Sequence, residues 1–105
     1  MKIDFLAAAQ SELNDAFEWY EAQQKNLGVQ FIGELNAAIK RITSYPNSYM
    51  LIDSTIRCCL IKRFPYSILY VINVDMIVII AIAIAIAIAI AHLHRKPNYW
   101  QGRLR

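Results

Sequence analysis

Carboxylates nearly vanish from the second half of this chain. From Arg57 onward there are seven Lys and Arg and one acid, Asp75, whereas residues 1 to 56 carry four bases and seven acids. The back half is therefore near +6, and such a bias points to a polyanion, an acidic protein partner or a phosphate substrate. Spaced cysteines are also lacking. The two present, Cys58 and Cys59, are adjacent, so in a strand they face opposite ways and a bridge between them would be badly strained. That excludes a disulfide framework, and both read as small buried hydrophobes. No signal peptide is visible in Met1-Lys2-Ile3-Asp4, so a cytoplasmic location is expected. The longest apolar run, residues 77 to 91, falls short of the roughly 20 residues a membrane helix needs. Asp75 and His92 close its ends, and no membrane partner is expected. Histidines number only two, with no cysteine or matched carboxylate beside them, so neither a metal nor another cofactor is expected.

What the chain does have is a repeat. Residues 81 to 91 are five Ala-Ile units and a final alanine. Strict alternation puts every isoleucine on one face of a strand and every alanine on the other, while a helix would scatter both. With Ile77 to Ile80 in front, the run would span roughly 50 Å as one strand, far beyond the usual 5 to 6 residues. Because side chains on a strand also repeat every two residues, adding or removing whole Ala-Ile units leaves the facing unchanged.

The whole 105-residue chain, 57% hydrophobic, reads as a single domain with a two-layer core. Ile3 to Leu6 suits a short first strand. From Ala7 to Gln24, Leu13, Ala16, Phe17 and Tyr20 recur at spacings of three and four, with Glu12, Asp15, Glu18 and Glu21 on the other side. Gly28 reads as the end of that helix, and Phe31, Leu35, Ile39 and Ile42 mark a second one whose last turns carry Lys40 and Arg41. After Pro46 and Asn47, Tyr49 to Thr55 reads as a loop or edge strand. Ile56 to Phe64 and Tyr66 to Val74 read as strands separated by Pro65, leading into the repeat strand through Asn73, Asp75 and Met76. The expected fold is α+β, in the order β-α-α-β-β-β. A helical hairpin packs on one face of an antiparallel sheet with an unusually long last strand, residues 77 to 91, followed by a basic, aromatic tail, 92 to 105.

Several pieces together resemble a known family. They are Ala16-Phe17-Glu18-Trp19-Tyr20-Glu21, Leu27-Gly28 with Phe31, Ile42 with Tyr45-Pro46, the stretch Arg57 to Phe64 with Pro65-Tyr66, and Tyr70. At the end come His94-Arg95-Lys96-Pro97, Tyr99-Trp100 and Arg103. In this order they resemble the RelE/ParE superfamily of toxins from bacterial type II toxin–antitoxin systems, across almost the whole chain. The departure is an apparent insertion of about eight residues, four Ala-Ile units, in the last strand.

The resemblance implies a cognate antitoxin as partner and two kinds of target. One reading is a ribosome-dependent mRNA endonuclease, in which the 2′-hydroxyl of the message attacks the adjacent phosphate. That reaction needs a base, an acid and cations against the developing charge. By resemblance the catalytic candidates are Arg95, Arg63, Lys62, Tyr99 and His94, with His92 beside them. The RNA or phosphate contacts are Arg57, Lys62, Arg63, Arg95, Lys96 and Arg103. Strand parity ranks Arg95 above the histidines, since it continues the alanine face and they continue the isoleucine face. Arg57 and Arg63 would equally suit a sheet edge, and Tyr99 with Trp100 would suit the floor of a small core. The other reading is a DNA gyrase inhibitor of the ParE kind. A third follows from the repeat: eight added residues would displace the tail by about 26 Å if the strand stays extended, weakening or switching the toxin. The open Ile/Ala edge would then favour a homo-oligomer by strand exchange or self-association.

Overall fold

The computed structural model describes residues 1–85 and 99–104. In chain order the elements are β1 (Lys2–Phe5), α1 (Ala7–Gln23), α2 (Leu27–Ser44), β2 (Met50–Leu51), β3 (Arg57–Leu60), β4 (Tyr66–Asn73) and β5 (Met76–Ile84), with a final 3-10 turn, Gln101–Leu104. The sheet runs β1-β5-β4-β3-β2. Every pairing is antiparallel except β1 with β5, which is parallel, so the sheet is mixed rather than wholly antiparallel. The reason is the helical hairpin: it carries the chain from the edge strand β1 across one face before β2 begins, and β5 returns beside β1 in the same direction.

The hairpin is built as its periodicity demands. Leu13, Ala16 and Tyr20 of α1 and Phe31, Leu35, Ala38 and Ile42 of α2 form one core with Cys59, Ile61, Phe64, Ile68, Tyr70, Ile77, Ile79 and Ile82. Tyr20, Phe31 and Phe64 interlock there with ring centroids 4.9 to 5.4 Å apart, mostly edge to face. Gly28 does not end α1. It lies in the first turn of α2, where an added Cβ would meet the Phe17 carbonyl oxygen at 2.7 Å, so its role is close approach of the two helices. The left-handed residue of the connection is Asn26, at φ 70°, a conformation asparagine tolerates. Glu21 closes the corner: its carboxylate accepts from the backbone N–H of Asn26 at 3.1 Å and of Gly28 at 2.8 Å, at the positive end of α2.

The opposite face of the sheet has its own cluster, Ile56, Leu69, Val71, Val78, Ile80, Ala81, Ala83 and Trp100. Cys58 and Cys59 are free thiols on opposite faces, as their adjacency requires. β5 switches parity midway. Tyr70 pairs with Ile79 and Leu69 with Ala81, leaving Ile80 as the extra residue of a bulge. Before the bulge Ile77 and Ile79 face the helices; after it Ile82 does, and Ala81 and Ala83 face the other way. The strand is the longest of the sheet at nine residues, yet it closes at Ile84. Ala85 already has helical backbone, its N–H donating to the Pro65 carbonyl at 2.9 Å. The strand expected over residues 77 to 91 is described only as far as Ile84, and residues 86 to 91 lie outside the described residues.

Candidate functional site

The C-terminal end of β5 is where the described residues gather polar chemistry around an apolar hollow. Beyond Phe5, β1 no longer flanks β5, so the hydrogen-bonding groups of that edge need other partners. Two side chains supply them. Glu12, from α1, accepts the Ile82 N–H at 3.1 Å, and Arg103, from the final turn, donates to the Ile80 carbonyl at 2.8 Å. The two also join each other through a bidentate pair of 2.8 and 2.9 Å, at 23% and 19% side-chain exposure. Its hydrogen bonds to Glu12 hold the Arg103 guanidinium above its ordinary range.

Trp100, 1% exposed, fills the back of the sheet where the alanines of β5 leave room. Tyr99 stacks edge to face on it at 4.9 Å, with the Arg103 guanidinium carbon 5.2 Å from the Tyr99 ring centre. Burial, and after it the charge of Glu12, pushes the Tyr99 phenol up, so it keeps its proton at neutral pH and is a poor general base. In front of this cluster lies a hollow of about 580 Å³, walled by Glu12, Asp15, Trp19, Tyr66, Ile84 and Tyr99.

The other candidates lie elsewhere. Arg57, at the start of β3, donates to the carbonyls of Asn47 and Tyr49 at 3.0 and 2.8 Å. Its cross-strand neighbour Tyr70 donates to the Pro46 carbonyl at 2.7 Å, so the two pin the segment that follows α2. Arg63, at φ 72° in the turn after β3, reaches Gln30 at 3.0 Å and Glu34 at 3.4 Å on α2, a surface pair of small energetic worth. Lys62 beside it is exposed. His92, His94, Arg95 and Lys96 lie outside the described residues. Arg57, Arg63 and Arg103 are thus held by three different elements.

Glu12 is the residue that sequence reasoning misses. Periodicity assigns it to the polar side of α1, and only the packing of that helix against β5 turns it toward the open edge. No local signal could reveal a partner 91 positions away. Among the described residues no group of three or more His, Cys, Asp or Glu is placed to hold a metal ion, and no helix is long and apolar enough to cross a membrane.

The fold is a small α+β one, two helices on one face of a mixed five-stranded sheet. Residues 3–85 match the family described as ParE toxin of type II toxin-antitoxin system, parDE, and the chain belongs to that family. The match stops one residue past the end of β5. Among solved structures the fold is similar to a chain of the chromosomal ParDE TA system from P. aeruginosa, at TM-score 0.70 and 15% identity, covering 80% of this chain and 95% of that one. A search of curated proteins finds no match.

Proposed function

We propose that this chain arrests growth by binding, with DNA gyrase as the target and a cognate antitoxin as the protein that neutralises it, rather than by cutting messages on the ribosome. The dispersal of its described cations carries this reading. Cleavage of a message needs cations and proton-transfer groups held around one phosphate to within a fraction of an ångström. Here Arg57 latches a loop, Arg63 lies along α2, Arg103 closes a sheet edge and Tyr99 retains its proton. Membership of the ParE family supports the same side. The positive bias of the back half suits an acidic antitoxin. Purified protein added to gyrase and relaxed plasmid tests the proposal. Loss of supercoiling, restored by the antitoxin, is expected, with messages intact in a parallel ribosome assay. Messages cut at the ribosomal A site with gyrase untouched would overturn it in favour of an endonuclease using Lys62, Arg63, His94, Arg95 and Tyr99.

A second reading concerns potency and rests on the perfection of the repeat. Each Ala-Ile unit is six bases in frame, and gain or loss of a unit preserves the facing of β5 while changing the length of chain before the tail. Repeat number would then set the strength of the toxin. Chains shortened by one to four units should differ in growth arrest, and toxicity indifferent to repeat number removes this reading.

A further inference from the structure

The edge of β5 past the end of β1 is guarded, and the guards come from outside the strand. From Met76 through Ala91 the chain carries no charged residue at all. Natural sheets blunt such edges with charges or prolines on the strand itself; here the strand has neither. Instead Glu12 and Arg103, neighbours only through the fold, take the Ile82 N–H and the Ile80 carbonyl and neutralise each other while doing so. These are the groups a further strand would bond.

We propose that the C-terminal turn, through Arg103, is an edge guard whose release lets the Ile80 to Ile84 edge pair antiparallel with the same edge of a second copy of this chain. The occupant follows from the sequence of the edge. Past the bulge at Ile80, two copies related by a two-fold axis at Ile82 set Ile82 beside Ile82 on one face and Ala81 beside Ala83 on the other, because strand and repeat share a period of two. A two-fold interface requires such self-complementarity. Ile84, 46% exposed at the end of the strand, adds apolar surface that pairing would cover. The bidentate geometry makes Arg103 the guard rather than a mere counter-charge: one of its nitrogens, Nη1, bonds Glu12 and the Ile80 carbonyl together, which a lysine cannot match with the same fork.

The test is the mass of the full chain in solution by light scattering, with amide exchange at Ile82 as the local readout. The native chain is expected to have the mass of one copy and a protected Ile82 amide. Arg103→Ala, which frees the Ile80 carbonyl and takes from Glu12 the partner that holds it on the Ile82 amide, is expected to double the mass as concentration rises, with the Ile82 amide exchanging faster than native when dilute and protected again in the associated form. The exchanged pair Glu12→Arg with Arg103→Glu keeps the opposite charges but sets a donor against the Ile82 N–H and an acceptor against the Ile80 carbonyl, so it is expected to associate as Arg103→Ala does, and a single-copy mass for it would overturn the guard. Arg103→Ala that stays single at every concentration overturns the proposal, as does association that leaves Ile82 unprotected, which would place the contact elsewhere, for example at the exposed Met50–Leu51 edge. If Arg103→Ala fails to fold, Arg103→Lys decides: concentration-dependent doubling with a loosened Ile82 amide supports the guard, and a single-copy mass with native exchange refutes it.

Discussion

Met76–Ile80 and Ala81–Ile84 are two halves of one strand, held in different ways. The first half lies between β1 and β4, with irregular sequence and backbone partners on both edges. The second has β4 on one edge and, on the other, Glu12 of α1 at the Ile82 N–H, with Arg103 on the Ile80 carbonyl at the junction, and its sequence is interchangeable with the units that follow it. The bulge at Ile80 separates them. The difference teaches where this fold tolerates change. Backbone pairing and unique packing fix register in the first half, while in the second any shift by two residues reproduces the same facing. The family match covers both halves and stops one residue beyond the second, at residue 85.

The comparison breaks if both halves respond alike to truncation. Ile79→Ala, at a fully buried position among the helices, is expected to cost about 3 to 4 kcal/mol in urea unfolding. Ile84→Ala, at a half-exposed one, is expected to cost under about 1 kcal/mol. Equal losses would mean that the end of β5 is as tightly packed as its beginning. The pinned region should also resist small additions. Gly28→Ala forces a Cβ onto the Phe17 carbonyl and is expected to cost about 2 kcal/mol. Gly33→Ala, with nothing within 4 Å of the new atom in mid-helix, is expected to gain about 0.5 to 1 kcal/mol. Opposite signs at two glycines five residues apart would locate the close approach of the hairpin.

Tyr70 sharpens the same contrast through pH. Burial pushes its phenol up from 10.0 to about 12, so the folded chain keeps a proton that the unfolded chain loses first. This contribution is complete below pH about 10 and is lost as pH rises toward about 12. Tyr70→Phe is expected to lower stability by about 1 kcal/mol at neutral pH through the lost bond to Pro46, and to flatten the alkaline decline. An unchanged alkaline slope would show that another group sets it.

Much of the hairpin is legible in the sequence because its apolar spacing belongs to individual helices, as Leu13, Ala16, Tyr20 and then Phe31, Leu35, Ile42 show. The two faces of the sheet at Cys58 and Cys59 are equally local. The parallel pairing of β1 is not, since it depends on where the crossing hairpin delivers the chain. The bulge hides for another reason: Ile77-Val78-Ile79-Ile80 is apolar throughout, so no alternation marks the residue at which parity flips. Glu12 and Arg57 show why the site was only partly legible. A charged side chain that answers backbone groups of another element has the same sequence signature as one facing water, and only tertiary packing separates the two.

Two deletions in β5 test the central distinction most directly. Removing Ala81 and Ile82 together restores the same residue types at every position of the strand and shortens only the chain beyond it. Removing Ala81 alone brings isoleucine onto the face where Ala81 and Ala83 are buried with Trp100. In urea unfolding the paired deletion is expected to change stability by less than about 0.5 kcal/mol, and the single deletion to cost about 2 to 3 kcal/mol through overpacking. Equal losses from the two deletions would contradict the account.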